Sequence, residues 1–167
     1  MKTIIAYFSL LLTMVSFSYG QQKPADNAET MIDLYFKSYS GESKYQINTM
    51  GEAMVKRTNE MGMWTHPSIA RIMKQVKTYK YLNFNSSPEN LQKIIAQVSA
   101  AANKGNIYKE YFRWETNDVV SSVIYTKGDK KITELDYITL NKGHISVSCF
   151  IGDNIDMESI RSLVANK

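Results

Sequence analysis

The chain has 167 residues, of which 44% are hydrophobic and 22% are charged, which is enough for one globular domain and too little for two. It has 20 basic and 16 acidic residues, which gives a formal net charge of +4. Because residues of both signs are mixed along the chain, this charge does not indicate a nucleic-acid-binding arm. The single cysteine, Cys149, excludes an intramolecular disulfide framework and a multi-cysteine zinc site.

The N terminus predicts export. Lys2 provides a basic tip, residues 4–17 form an apolar run, and the small residues Ser18 and Gly20 complete the pattern of a secretory signal peptide over residues 1–20. The run is shorter than the roughly 20 apolar residues that span a bilayer, and no cysteine follows it to carry a lipid. We therefore expect a protein that is exported to the periplasm or secreted, is soluble after cleavage and is not a lipoprotein.

The first half of the mature chain predicts helices interrupted by short strands. Residues 21–27 are polar and contain Pro24, which indicates a flexible lead to a single domain over residues 28–167. Met31, Leu34 and Tyr35 share one helical face, and Ser40-Gly41 provides an end for that helix. The segments that follow are a strand at 45–49, a helix at 51–62, a helical turn from His66-Pro67 and a strand at 76–84.

The second half predicts one long helix and then a sheet. Ser87-Pro88 is a strong helix start, and Asn103-Lys104-Gly105 is expected to end that helix. Short loops rich in Gly, Asn and Asp then separate four alternating segments, which indicates an antiparallel meander. These segments are 107–115, 119–126, 132–140 and 144–151.

The last strand and the closing helix complete the predicted fold. Ile145, Val147 and Cys149 alternate with serines, so we expect Cys149 to be a buried core residue, the alternative being a thiol that pairs with another molecule. Asp156 is expected to cap a closing helix, with Ile155 and Ile160 forming a hydrophobic staple. The fold class is α+β, with helices packed on one face of an antiparallel sheet of four strands, or of five or six.

The second half of the chain also resembles a known family. The stretch 108–164, with strand pairs around Lys127-Gly128-Asp129 and with Gly152-Asp153-Asn154-Ile155-Asp156 before the last helix, is similar to small exported bacterial proteins known as domain of unknown function forty-two fifty-two. The early Leu34-Tyr35-Phe36 segment and the total length fit this family as well. The resemblance implies a turn at Gly152 and a cap at Asp156, and Asn154 is an extra residue relative to the family pattern. The family carries no established activity, so the resemblance implies no catalytic residues.

Catalytic patterns are sparse. Neither of the two histidines, His66 and His144, adjoins a nucleophile elbow, and the chain has no Gly-rich phosphate loop and no HExxH pattern. A hydrolase could draw paired carboxylates from Glu110, Glu115, Glu134 and Asp136. Glu134 and Asp136 share a strand face with isoleucines, and we expect a sheet edge or a bulge to expose them. The protein is therefore predicted not to be an enzyme, with a Glu134/Asp136 hydrolase as the alternative.

One segment suggests metal chemistry. Met61, Met63, Trp64 and His66 fall within six residues, and thioether and imidazole groups suit Cu(I) or Ag(I). Packing of these methionines in the core is the competing interpretation. A soft-metal-binding protein that uses Met61, Met63 and His66 is accordingly the alternative function, and no cofactor is otherwise expected.

The leading hypothesis is a non-enzymatic binding module of the bacterial cell envelope. Lys74, Lys77 and Lys80 interleave with Tyr79 and Tyr81, a pattern that also occurs in single-strand nucleic-acid binders, but export argues against such a partner. Tyrosine-rich sheet faces suit contacts with proteins or glycans, because one end of the ring is apolar and the other polar. We expect an unknown protein or envelope component as partner, with no nucleic acid and no membrane association after signal cleavage.

Overall fold

A six-stranded antiparallel sheet forms the centre of the molecule. The computed structural model describes residues 29–36, 47–116 and 119–165, so the predicted signal peptide, the polar lead and the Ser40-Gly41 helix end lie outside the described residues. The strands are β1 (Ile47–Met50), β2 (Thr78–Asn85), β3 (Tyr108–Thr116), β4 (Val119–Lys127), β5 (Ile132–Asn141) and β6 (His144–Ile155). The helices are α1 (Glu52–Glu60), α2 (Pro67–Met73), α3 (Pro88–Gly105) and α4 (Met157–Val164), and a π-helical segment covers Ile32–Phe36. Within the described ranges, no helix is long and apolar enough to cross a membrane.

The strand order is β1-β2-β6-β5-β4-β3, and every neighbouring pair is antiparallel. The four strands β3 to β6 form the meander that the short loops predict. The two earlier strands add to it on the side of β6, so the sheet has six strands and the α+β class is confirmed.

Helices cover both faces of the sheet, and the expectation that they pack on one face is wrong. Val123 and Tyr125 belong to the core under α3 and the π-helical segment, whereas Ile124 between them belongs to the core under α1, α2 and α4. Because consecutive residues of β4 are apolar and buried, both faces of the strand need cover. We call these two sides the α3 face and the three-helix face.

The predicted helix caps are mostly confirmed. The Ser87 hydroxyl accepts a hydrogen bond from the Asn90 amide at 3.2 Å, and the Asp156 carboxylate accepts one from the Ser159 amide at 2.7 Å. The end of α3 differs from the expectation. Gly105 is still helical, and Asn106 adopts the left-handed conformation with φ of 52°, since asparagine tolerates that region better than most residues.

Gly152 does not form the expected turn. β6 continues through it to Ile155, and the register with β5 shifts there, since Ile132 pairs with Ile155 and Glu134 pairs with Ile151. A Cβ atom at Gly152 would overlap the backbone carbonyl of Gln75. This glycine is therefore required for close backbone approach.

An ion pair holds the π-helical segment on the α3 face. Asp33 accepts hydrogen bonds from the Lys80 ammonium at 2.6 Å and from the Thr30 hydroxyl at 2.7 Å. Burial alone would raise the pKa of Asp33, but the hydrogen bonds from Lys80 and Thr30 outweigh it and lower that pKa. The segment is thus anchored to β2 by a carboxylate that is charged in the folded state.

We predict that this anchor makes folding sensitive to acid. A carboxyl whose folded pKa lies below its unfolded value of about 3.9 stabilises the fold above that pH, and the contribution is lost as pH falls through the folded pKa. Asp33→Asn should therefore destabilise the protein by about 1 kcal/mol at pH 7, and the difference from wild type should shrink below pH 4. Denaturant unfolding of both proteins at pH 7 and at pH 2.5 measures this difference in the free energy of unfolding.

Asp129→Asn is the matched control, because Asp129 pairs with Lys109 but its side chain is 75% exposed. We expect almost no change in stability from it at either pH. If Asp33→Asn lowered the free energy of unfolding by the same amount at both pH values, the ion-pair explanation would be contradicted.

Candidate functional site

A row of polar side chains crosses the α3 face in the middle of the sheet. The register aligns Lys80 of β2, Cys149 of β6, Asp136 of β5 and Tyr125 of β4. Glu134 precedes Asp136 by two residues and lies on the same face. Since buried polar groups are costly unless they are paired, this row is a candidate for function.

Hydrogen-bond donors surround Glu134. Its Oε1 accepts from the Met31 amide at 2.8 Å, from the Tyr108 hydroxyl at 3.1 Å and from the Cys149 thiol at 3.3 Å. Its Oε2 lies 3.5 Å from the Lys127 ammonium, and 3% of the residue is exposed. Glu134 is therefore well satisfied, and it ties four separate parts of the chain to β5.

Asp136 is buried without such partners. It is fully inaccessible to solvent, and apart from the neighbouring Glu134 and Cys149 side chains no group of the described chain is within hydrogen-bonding reach of its carboxylate oxygens. Burial raises the pKa of Asp136 well above its ordinary value, and the charge of Glu134 raises it further. Burial likewise raises the pKa of the Cys149 thiol, and the two neighbouring carboxyls add to this effect.

Three potential ligand atoms converge at this point. One carboxylate oxygen from Glu134, one from Asp136 and the sulfur of Cys149 all lie within 4.8 Å of one another. We call these three residues the buried acid–thiol cluster. Chemically, such a cluster can hold protons or a cation.

The expected exposure of Glu134 and Asp136 is wrong. A register shift does occur beside Glu134, but β5 is an interior strand and the π-helical segment contacts the cluster through Met31. The other two carboxylates considered for hydrolysis, Glu110 and Glu115, lie on β3 and pair with Arg113. The structure thus brings Glu134 and Asp136 together with Cys149, for which the sequence predicts a core position, with pairing to another molecule as the alternative, and no contact with these carboxylates. Its burial is confirmed.

The proposed soft-metal ligands lie on the surface. Met61 and Met63 are 64% and 58% exposed, and His66 is exposed immediately before α2. Trp64 is half-buried and packs edge-to-face on Tyr79 at 5.7 Å between ring centroids. Nothing in these contacts tests Cu(I) or Ag(I) binding, so that site stays a prediction.

Part of the three-helix face is open. Tyr81 and Tyr137 are half-buried there, and Trp114 near the β3 edge is 42% exposed. Tyr79 stacks on Tyr81 at 5.6 Å, so aromatic rings continue from Trp64 beneath the helices to the open surface. The spacing of Tyr79 and Tyr81 marks them in the sequence, whereas no local pattern marks Tyr137 or Trp114.

The open surface consists of three register rows without an Asp, Glu, Lys or Arg side chain. Across β2, β6 and β5 these rows are Tyr81, Ser148 and Tyr137; Asn83, Ser146 and Thr139; and Asn85, His144 and Asn141. Polar pairs link neighbouring strands, since Ser146 donates to Asn83 and His144 Nδ1 lies 2.7 Å from the Asn85 side-chain oxygen. We call these rows, together with Trp114, the open aromatic face.

Comparison with known proteins gives no assignment. No protein-family model, curated protein or solved structure matches this chain. The resemblance to the family of unknown function therefore stays a prediction, and function has to be argued from the residues themselves.

Proposed function

We propose that this protein is an exported, non-enzymatic binding protein of the bacterial cell envelope, and that it binds an uncharged glycan on the open aromatic face. The carrying observation is the composition of that face, which combines two half-buried tyrosine rings and the exposed Trp114 ring with hydroxyl and amide side chains and contains no Asp, Glu, Lys or Arg. The whole chain has 22% charged residues, so the absence of Asp, Glu, Lys and Arg from all nine positions of these rows distinguishes the face from the average composition.

The chemistry of the face favours a neutral, hydroxyl-rich ligand. Tyrosine and tryptophan rings offer flat apolar surface together with a polar edge, and they pack well on the apolar face of a sugar ring. The amides of Asn83 and Asn85 and the hydroxyl of Thr139 can exchange hydrogen bonds with sugar hydroxyls. An anionic ligand would find no positive partner within these rows, so nucleic acid and acidic polymers are disfavoured.

Exposure of the rings also favours this surface over the buried cluster as the contact region. Tyr81 and Tyr137 are half-buried and already positioned by the strands, so little conformational entropy is lost when a ligand packs on them. A rigid sheet that presents prearranged rings supports binding and needs no catalytic group.

We predict that neutral oligosaccharides bind the full-length chain and that Tyr81 is required. Isothermal titration calorimetry with hexasaccharides of glucose and of N-acetylglucosamine should detect binding, and a galacturonic acid hexasaccharide at 0.15 M salt should bind much more weakly. Tyr81→Ala should raise Kd at least about fivefold, because a stacked ring contributes about 1 kcal/mol beyond its buried area. A change in tryptophan fluorescence on ligand addition that is lost in Trp114→Phe gives a second readout, because Trp64 is the other tryptophan of the chain.

Tyr35→Ala is the matched control. Tyr35 is also half-buried, but it belongs to the π-helical segment and packs near Tyr108 on the opposite side of the sheet. Its replacement should leave Kd unchanged. Failure of all neutral hexasaccharides to bind at millimolar concentration would overturn the glycan proposal, and dimerisation abolished by Tyr81→Ala would assign the face to self-association instead.

A further inference from the structure

We propose that the buried acid–thiol cluster of Glu134, Asp136 and Cys149 is a binding site for one divalent transition-metal ion, with Zn²⁺ as the best match. This site is separate from the exposed Met61, Met63 and His66 segment and from the open aromatic face. It is built by β5 and β6, two neighbouring interior strands whose register sets Asp136 directly opposite Cys149.

The donor set fits zinc. Zn²⁺ is commonly bound by thiolate sulfur and carboxylate oxygen, at about 2.3 Å and about 2.0–2.2 Å. Two such ligands on one tetrahedral ion lie about 3.5 Å apart. The 3.3 Å separation between the Cys149 sulfur and Oε1 of Glu134 is close to this value, and the Asp136 oxygen completes a triangle with no edge longer than 4.8 Å.

The unpartnered carboxylate of Asp136 is an independent sign of a missing ligand. The side chain is fully buried, and no donor from outside the cluster reaches either of its oxygens, whereas the adjacent Glu134 is contacted by four donors. A carboxylate that is buried in this way is costly unless it is paired or bound to a cation. A metal ion between Asp136 and Cys149 would supply the absent partner.

The local charge also balances. Two carboxylates and a thiolate carry three negative charges, while a divalent ion and the nearby Lys127 carry three positive ones. Lys127 lies 3.5 Å from Oε2 of Glu134, on the oxygen that the thiol and the Tyr108 hydroxyl do not contact. The loaded site would therefore be neutral, as a buried site needs to be.

Burial determines how the ion must enter. All three residues are at most 3% exposed, and the Met31 amide donates directly to Glu134. We therefore expect metal uptake to accompany folding rather than to follow simple mixing with the folded protein. The decisive experiment refolds the full chain with the ion present.

The test refolds the full-length chain from denaturant with Zn²⁺, with Co²⁺ or with EDTA, and removes excess metal by gel filtration. Elemental analysis should find about one zinc per chain after refolding with Zn²⁺. The cobalt form should show a thiolate-to-cobalt absorption band in the near ultraviolet, which requires a bond to sulfur, and Cys149 is the sole cysteine. Asp136→Asn and Cys149→Ser should each lower the bound metal at least tenfold.

Two variants act as controls for metal bound elsewhere. His66→Ala removes the imidazole of the exposed Met/His segment, and Glu110→Gln changes a carboxylate that pairs with Arg113 on β3. Both should retain one zinc per chain. Circular dichroism verifies that each variant is folded, and the cobalt–thiolate band of the wild type tests the site without any variant.

Three results would overturn the proposal. The first is wild-type protein that refolds to its native spectrum with less than about 0.1 zinc per chain. The second is a cobalt form without a thiolate band, and the third is bound zinc that His66→Ala removes and Cys149→Ser does not.

Discussion

Replacement of Glu134 by alanine is expected to lower the free energy of unfolding by about 3–5 kcal/mol, a large part of the stability of a domain of this size. The substitution removes the acceptor of the Met31 amide and the Tyr108 hydroxyl, and it also removes the negative partner of Lys127. Buried donors that lose their acceptor bear their full desolvation cost. Urea unfolding followed by circular dichroism measures the change.

Two further variants distinguish the loss of the Glu134 charge, the loss of its hydrogen-bond acceptors and the effect of removing a surface carboxylate. Glu134→Gln keeps an oxygen that can accept from Met31 and Tyr108 but loses the charge, so we expect a smaller loss of about 1–2 kcal/mol. Glu115→Ala is the surface control, since that side chain is 43% exposed and 3.5 Å from Arg113, and its effect should be below about 0.5 kcal/mol. A loss for Glu134→Ala no larger than that of the surface control would contradict the central role given to this carboxylate.

Replacement of Gly152 by alanine is expected to destabilise the protein by about 3 kcal/mol or more. The new methyl group would overlap the backbone carbonyl of Gln75, and backbone cannot move aside as the end of a flexible side chain can. The amide of Lys77 donates to the carbonyl of Ile151 at 2.8 Å next to this contact, so a displacement would also weaken the junction between α2 and β2. Thermal and urea unfolding measure the loss.

Gly51→Ala is the matched control for Gly152→Ala. A Cβ atom at Gly51 meets nothing within 4 Å, and its φ of −77° is open to any residue. Because glycine is a better N-cap than alanine, a cost below about 1 kcal/mol is expected there. Equal effects of the two substitutions would show that the approach of Gln75 to β6 is not what requires glycine.

Local signals in the sequence predict most elements of this fold. The cap at Ser87, the cap at Asp156 and the alternation around Cys149 each act over a few residues, so the segments concerned determine them almost alone. The sheet order is different, since the residues that pair between β2 and β6 are 59 to 73 positions apart in the sequence. Such pairing depends on long-range register, which periodicity does not encode.

The candidate site was harder to predict than the fold. The Glu134 carboxylate accepts a hydrogen bond from Met31, which is 103 positions away, so its burial depends on a remote segment. A usable signal did exist. Glu134 and Asp136 alternate in phase with the buried Ile138, and alternation alone assigns all three to the same inward face. The general tendency of acidic residues to be exposed predicts the opposite of this alternation, and it favours the exposure that the structure contradicts.

The sequence predicts only the β2 part of the open aromatic face. The interleaving of Tyr79 and Tyr81 indicates a half-exposed strand, and both residues do lie on one face of β2. Tyr137 joins them through β6, which separates the two strands in the sheet. No local pattern places residues of β2 and β5 side by side, so this surface emerges only from the strand order.

The two outer strands of the sheet limit how copies of this protein can associate. The described part of β1 has four residues, and β3 carries two register shifts together with the charged side chains Lys109, Glu110, Arg113 and Glu115. Short, kinked and charged borders of this kind resist the addition of a further strand from another molecule. At high protein concentration, edges of this kind disfavour growth of the sheet into fibrils, and they favour association through the faces of the sheet over association through its edges.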